Sequence, residues 1–183
     1  MKRNEAVRGF TLIELMVTIV IIAILGLVAA VSYNRYVRKA RTTEAINFLS
    51  GIKMKQETYM QTYGSYVDTS ASPASHGNGD FYPQQLGEGH KKWEIECPSD
   101  AAAYPGWCAL GARPTPTDDV NYQYVTVGWQ NGDPEPPNEY IKDPDRRWWY
   151  AIALGADLNE DGVIPTFLFS NELSSPSMWN EVD

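Results

Sequence analysis

Glu14 is the one charged side chain in the 22-residue apolar run Phe10–Val31. A carboxylate inside an apolar helix of bilayer length costs at least ~2.5–3.5 kcal/mol, so it is expected to have a partner. Cys97 and Cys108 are the second candidate pair, 11 positions apart in a segment rich in Pro, Gly and Ala. Outside the cytoplasm that spacing suits a local disulfide, and two free thiols are the alternative. Closing so short a loop stabilises by ~3 kcal/mol on the chain-entropy picture. A zinc site would need more His or Cys ligands nearby than this segment holds.

The third pattern is Asp157-Leu158-Asn159-Glu160-Asp161-Gly162. Oxygen ligands at Asp157, Asn159 and Asp161 followed by glycine look like the first half of an EF-hand calcium loop. The second half fails, because Leu168 stands where the bidentate acid belongs. Glu160 or Glu172 could complete a calcium sphere; a plain acidic hairpin turn is the alternative reading. His76 and His90 fall in loop-like sequence with no nucleophile pattern beside them, and no P-loop, GxSxG or zinc spacing occurs. These absences point away from an enzyme.

The elements that must hold these groups follow from pattern. From Phe10 to Tyr63 there is no proline, and glycine occurs only at Gly26 and Gly51. One helix of about 54 residues is predicted, on the order of 80 Å long. Residues 10–31 are apolar all round and long enough to span a membrane. Farther on, Ala45, Leu49, Ile52, Tyr59 and Tyr63 recur at helical spacing and are expected to pack on a sheet, with Arg41, Glu44 and Lys55 on the opposite face. Gly64 ends the helix. Residues 64–119 read as an irregular connection holding both cysteines, with a short strand or turn at Trp93–Ile95. Residues 120–183 read as sheet and tail. Strands are predicted at 120–127, 147–154 and 163–170, with Gln130–Pro134 as a turn. In Trp148-Trp149-Tyr150 one Trp should face the helix and its neighbours the other side. The tail from Asn171 is polar, with Met178 and Trp179 as packing anchors.

Charge is split along the chain. Residues 1–60 carry +5 and residues 61–183 carry −13 within the total of −8. An acidic outer region does not suit a general nucleic-acid binder, which needs clustered cations. Six Trp and eleven Tyr residues are expected to serve mainly packing.

The stretch GFTLIELMVTIVIIAILGLVAAVSYNRY, residues 9–36, resembles the N-terminus of a type IV prepilin, a class that includes pilus subunits and the pseudopilins of type II secretion. The resemblance is close over residues 8 to about 45 and extends only in general layout beyond residue 64. It implies an α+β type IV pilin fold, a long N-terminal helix laid on a small antiparallel sheet. It also implies that residues 1–9 are a leader, cut by prepilin peptidase between Gly9 and Phe10, with Phe10 then N-methylated. Cutting before the apolar run keeps that run in the mature chain, unlike a secretory signal peptide. The resemblance further assigns Glu14 to a pair with the new amine of Phe10 on a neighbouring subunit; a pair with the chain's own N-terminus is the alternative. Implied partners are other pilin subunits, the inner-membrane assembly platform and the membrane. The chain is expected first as a single-pass inner-membrane protein, then in an extracellular filament used for adhesion, twitching motility or DNA uptake. A type II secretion pseudopilin and a membrane-tethered binding module that never polymerises are the other candidates.

Overall fold

The computed structural model describes residues 10–84, 90–115, 118–130, 132–137, 139–156 and 163–180. The chain divides into two compact units, Met1–Ala40 and Arg41–Asp183. In the first, helix α1 (Leu12–Tyr63) begins two residues later than Phe10. Its stretch Leu12–Ala29 is long and apolar enough to cross a membrane, and none of it is buried within the chain.

The second unit is α+β. After α1 come a 3-10 turn (Asn78–Asp80), β1 (Lys91–Lys92), α2 (Pro105–Leu110), β2 (Asp119–Val120), β3 (Gln123–Gly128), β4 (Trp149–Leu154), β5 (Thr166–Ser170) and β6 (Ser177–Asn180). β3-β4-β5-β6 form an antiparallel sheet in that order, and β1 pairs with β2. The three longest strands are the aromatic and β-branched runs of the sequence, each shorter at its start than pattern suggests. β6 falls in the segment read as a polar tail. It is a short edge strand pairing Met178 with Phe167, and Met178 is 40% exposed, so it anchors little.

Side chains alternate across the sheet as pleating demands. Trp149, Ala151, Ala153, Phe167 and Phe169 join Ala45, Phe48, Leu49 and Ile52 of α1 in one core. Trp148, Tyr150, Ile152, Leu168, Val125 and Val127 point the other way into a second core, closed by Ala74, Phe81 and Ile141 from the connections. The connection after α1 therefore covers the second face of the sheet. It also closes the edge of β3: Thr69 N–H donates to the Thr126 carbonyl at 2.8 Å, and Tyr82 and Tyr124 exchange two bonds of 2.8 Å. An unpaired edge would otherwise invite other strands. Gly128 and Gly106 permit this, because a Cβ at either would collide with the backbone of residues 66–69.

Two helix positions correct the sequence reading. Glu44 is not turned to solvent: its carboxylate accepts from the Asn121 N–H at 2.8 Å and from the Asn121 side-chain amide at 2.5 Å, fixing the turn into β3. Tyr63 is 68% exposed and lies outside the core, its ring tilted against that of the half-buried Tyr59. A third helix position is polar and yet in the core. Gln56 is fully buried, and its amide satisfies both the N–H and the carbonyl of Val67 at 2.8 Å while reaching Thr126 Oγ1 at 2.9 Å.

Candidate functional site

The site begins at the first turn of α1. Thr11 stands just before the helix. Its hydroxyl accepts the Glu14 N–H at 3.2 Å, while Glu14 Oε2 accepts the Thr11 N–H at 2.9 Å and the Thr11 hydroxyl at 2.8 Å. This is a reciprocal capping box, which satisfies amide groups that the first turn leaves orphaned. The carboxylate also lies at the positive end of the helix dipole. The within-chain partner of Glu14 is thus its own helix cap, a contact absent from both pairings considered above. The signal was legible as Thr11-x-x-Glu14, the spacing of a capping box.

Phe10 precedes the cap and is 85% exposed, and Leu12 and Ile13 are 80% and 74% exposed. A run of large apolar side chains this exposed requires a membrane or other apolar surfaces against it. A terminal amine created at Phe10 would stand one residue from the cap. Residues 1–9, Gly9 included, lie outside the described residues.

Cys97 and Cys108 are joined in a disulfide. Cys108 sits on α2, which starts at Pro105 and ends at Gly111 in the left-handed conformation. The bridge ties this turn to the segment after β1, where Trp93 and Trp107 pack edge to face beside Phe48.

Asp157, Asn159, Glu160 and Asp161 lie outside the described residues. Glu172 is placed, and it is otherwise engaged: its carboxylate accepts the N–H groups of Lys142 and Asp143 at 2.9–3.0 Å. Among the described residues no group of three or more His, Cys, Asp or Glu side chains could hold a metal ion.

On the second face of the sheet, His76 Nδ1 lies 3.0 Å from the Tyr150 hydroxyl, between Phe81 and Tyr140. Burial holds the imidazole below its ordinary pKa. Nearby, burial pushes the Asp68 carboxyl up to about 6; bonds from Ser70 oppose this, and Asp133 and Asp80 add to it. A native state that holds this proton more tightly than the unfolded chain gains stability at low pH. That gain is complete below the unfolded value near 4 and is lost as pH rises through about 6. Asp68→Asn keeps an oxygen for the Ser70 donors and removes the charge. It is expected to stabilise by about 1–2 kcal/mol at pH 7.5, after allowance for solvent screening, and by almost nothing at pH 4. Thermal melts of both proteins at the two pH values check this. An equal effect at both would place its origin elsewhere than in the carboxyl.

Comparison with known proteins bears on the N-terminal site. The prokaryotic N-terminal methylation motif matches residues 6–30. The chain is 29% identical over 150 residues to the fimbrial protein EcpC of Eikenella corrodens, covering 62% of this chain and 98% of that one. It is 38% identical over 82 residues to the type IV major pilin protein PilE1 of Neisseria gonorrhoeae, covering 43% of this chain and 38% of that one. It is 36% identical over 105 residues to a fimbrial protein of Dichelobacter nodosus, covering 56% of this chain and 64% of that one. The chain thus spans under two thirds of the length of the last two. No solved structure matches it.

Proposed function

We propose, from the N-terminal methylation motif and the similarity to fimbrial proteins, that this chain is a type IV pilin, a structural subunit of an extracellular type IV pilus. The observation that carries the proposal is the capped carboxylate at the head of the apolar stretch Leu12–Ala29, none of which is buried within the chain. Such a helix is stable in a bilayer and equally in a bundle of like helices, so one element serves as anchor and as filament core. Prepilin peptidase would remove residues 1–9, and an inner-membrane assembly platform would transfer the subunit from membrane to filament. The acidic unit would form the coat. The role is structural, in adhesion, motility or DNA uptake. The fimbrial names of the relatives favour a pilus over a secretion pseudopilus.

The test is direct. Filaments sheared from the source cells should contain this chain by mass spectrometry, beginning at an N-methylated Phe10. A surface chain that retains Met1–Gly9, or cells without filaments that carry this protein only in the membrane, would overturn the proposal.

A calcium ion at Asp157, Asn159 and Asp161 forms a second part of the proposal, supported by the alternation of oxygen ligands in the sequence. The melting temperature should rise with millimolar Ca²⁺ and not with Mg²⁺, and Asp157→Ala should remove the rise. No response to Ca²⁺ would leave a simple acidic turn.

A further inference from the structure

We propose that the cleft between α1 and the segment after α2 receives an exposed carboxylate from a second copy of this chain. The inference rests on the pilus reading above and names a contact within that assembly. The cleft has a volume of about 100 Å³; Asn47, Phe48, Gly51 and Lys55 line it from α1, and Arg113 and Thr115 from the opposite wall. Lys55 and Arg113 place one cation on each side, and Asn47 and Thr115 add neutral donors. Arg113 uses Nε and Nη2 on Asp118, at 3.0 and 3.1 Å. A guanidinium carries five donors, so this pairing does not exhaust it.

Gly51 is the second observation. It lies in the interior of α1, toward its C-terminal end, where glycine weakens a helix relative to alanine. Nothing inside the chain requires it: a Cβ there would meet no atom within 4 Å, and its φ is not in the positive range. The missing side chain keeps the floor of the cleft open and the helix backbone approachable from outside.

The occupant follows from charge. Residues 61–183 carry −13, so copies brought side by side repel unless their few cations meet carboxylates. Residues 133–145 hold five acids, and Glu135, Glu139 and Asp145 among them are exposed. A carboxylate of that segment, inserted between Lys55 and Arg113, would offset the repulsion and fix the lateral register of neighbours.

Carbodiimide cross-linking of intact filaments tests this, because it joins an ammonium to a carboxylate only when they touch. Peptide mapping is expected to show Lys55 joined to an acid of 133–145 in filaments and not in detergent-solubilised monomer. Two variants, each expressed as the sole copy, provide the second arm. Lys55→Glu with Arg113→Glu should lower sheared-filament yield by about tenfold or more, since like charges then face each other. Gly51→Leu fills the cleft with a helix-favouring side chain, so the monomer should melt no lower than wild type while filament yield falls. Wild-type filaments with Lys55 uncross-linked, or normal yield from both variants, would overturn the contact while leaving the pilus reading intact. A melting shift of wild-type monomer with inorganic phosphate, coupled with normal yield from both variants, would reassign the cleft to a free oxyanion. Absence of wild-type filaments would instead overturn the pilus reading.

Discussion

Gln56→Leu is expected to lower the stability of the second unit, Arg41–Asp183, by about 3 kcal/mol, the sum of two orphaned buried backbone groups at ~1–3 kcal/mol each. The Val67 N–H and carbonyl both bond to the Gln56 amide, and Val67 is buried, so water does not replace the lost partners. Leucine matches the volume and gains some apolar burial, which keeps the loss from being larger. For a unit of this size the melting temperature should fall by roughly 6–12 °C. Gln56→Glu should be worse, since a buried carboxylate accepts the Val67 N–H but offers no hydrogen to the Val67 carbonyl or Thr126 Oγ1. Thr58→Ala, at an exposed position two residues along the same helix, is the control and should change little. A Gln56→Leu melt within 2 °C of wild type would mean that residues 66–69 hold their place against β3 without the amide. Those residues cover the edge of β3 and begin the segment that closes the second core, so the change should also raise hydrogen exchange at Thr69 and Tyr82.

That amide shows where sequence reasoning stopped. Ala45, Leu49, Ile52 and Tyr59 mark the packing stripe of α1, and helical spacing places position 56 between the last two. A polar side chain there interrupts the apolar pattern, although its spacing keeps it on the buried face. Glu44 misled for a related reason: a charged residue was assigned to solvent, and no sequence signal announced the bare Asn121 N–H it serves. The apolar run, the helix from Leu12 to Tyr63 and the aromatic strands were legible because their composition and period agree. β6 was not legible, because Ser177-Met178-Trp179-Asn180 is short and follows a proline. The second face of the sheet was equally hidden, because Ala74, Phe81 and Ile141 are isolated apolar residues in polar connections, and only tertiary contact shows that they cover Val125, Val127 and Tyr150. At the site itself, the value of Glu14 was plain from its apolar surroundings, but Thr11 was read as part of a run and not as a cap.

The cap makes the second large effect interpretable. Glu14→Ala removes both a helix cap and a candidate partner for the amine of a neighbouring subunit, and a loss of filaments alone does not say which mattered. Thr11→Ala separates them. It deletes the hydroxyl that exchanges bonds with Glu14 and leaves the carboxylate in place. Loss of an N-cap side chain costs about 1 kcal/mol and affects only the first turn. Removing one member of a desolvated ion pair costs about 3–5 kcal/mol, because the remaining charge is stranded. If the pair forms on assembly, Glu14→Ala should reduce filament yield on the order of a hundredfold or more, and Thr11→Ala by about tenfold or less. Glu14→Gln should resemble Glu14→Ala, since it can still accept the Thr11 N–H but carries no charge to meet the amine. On the proposed function, leader cleavage and membrane insertion should persist in all three, because neither the proposed Gly9–Phe10 junction nor the apolar run is changed. Immunoblots of membranes and quantitation of sheared filaments, with each variant as the only copy, supply the measurements. Equal losses from Thr11→Ala and Glu14→Ala, or normal filaments from Glu14→Gln, would reduce Glu14 to a helix cap. The ordering Glu14→Ala near Glu14→Gln, with Thr11→Ala far milder, requires the charge itself. In that case the capping box holds the carboxylate in the lone subunit, and the arriving amine takes it over in the filament.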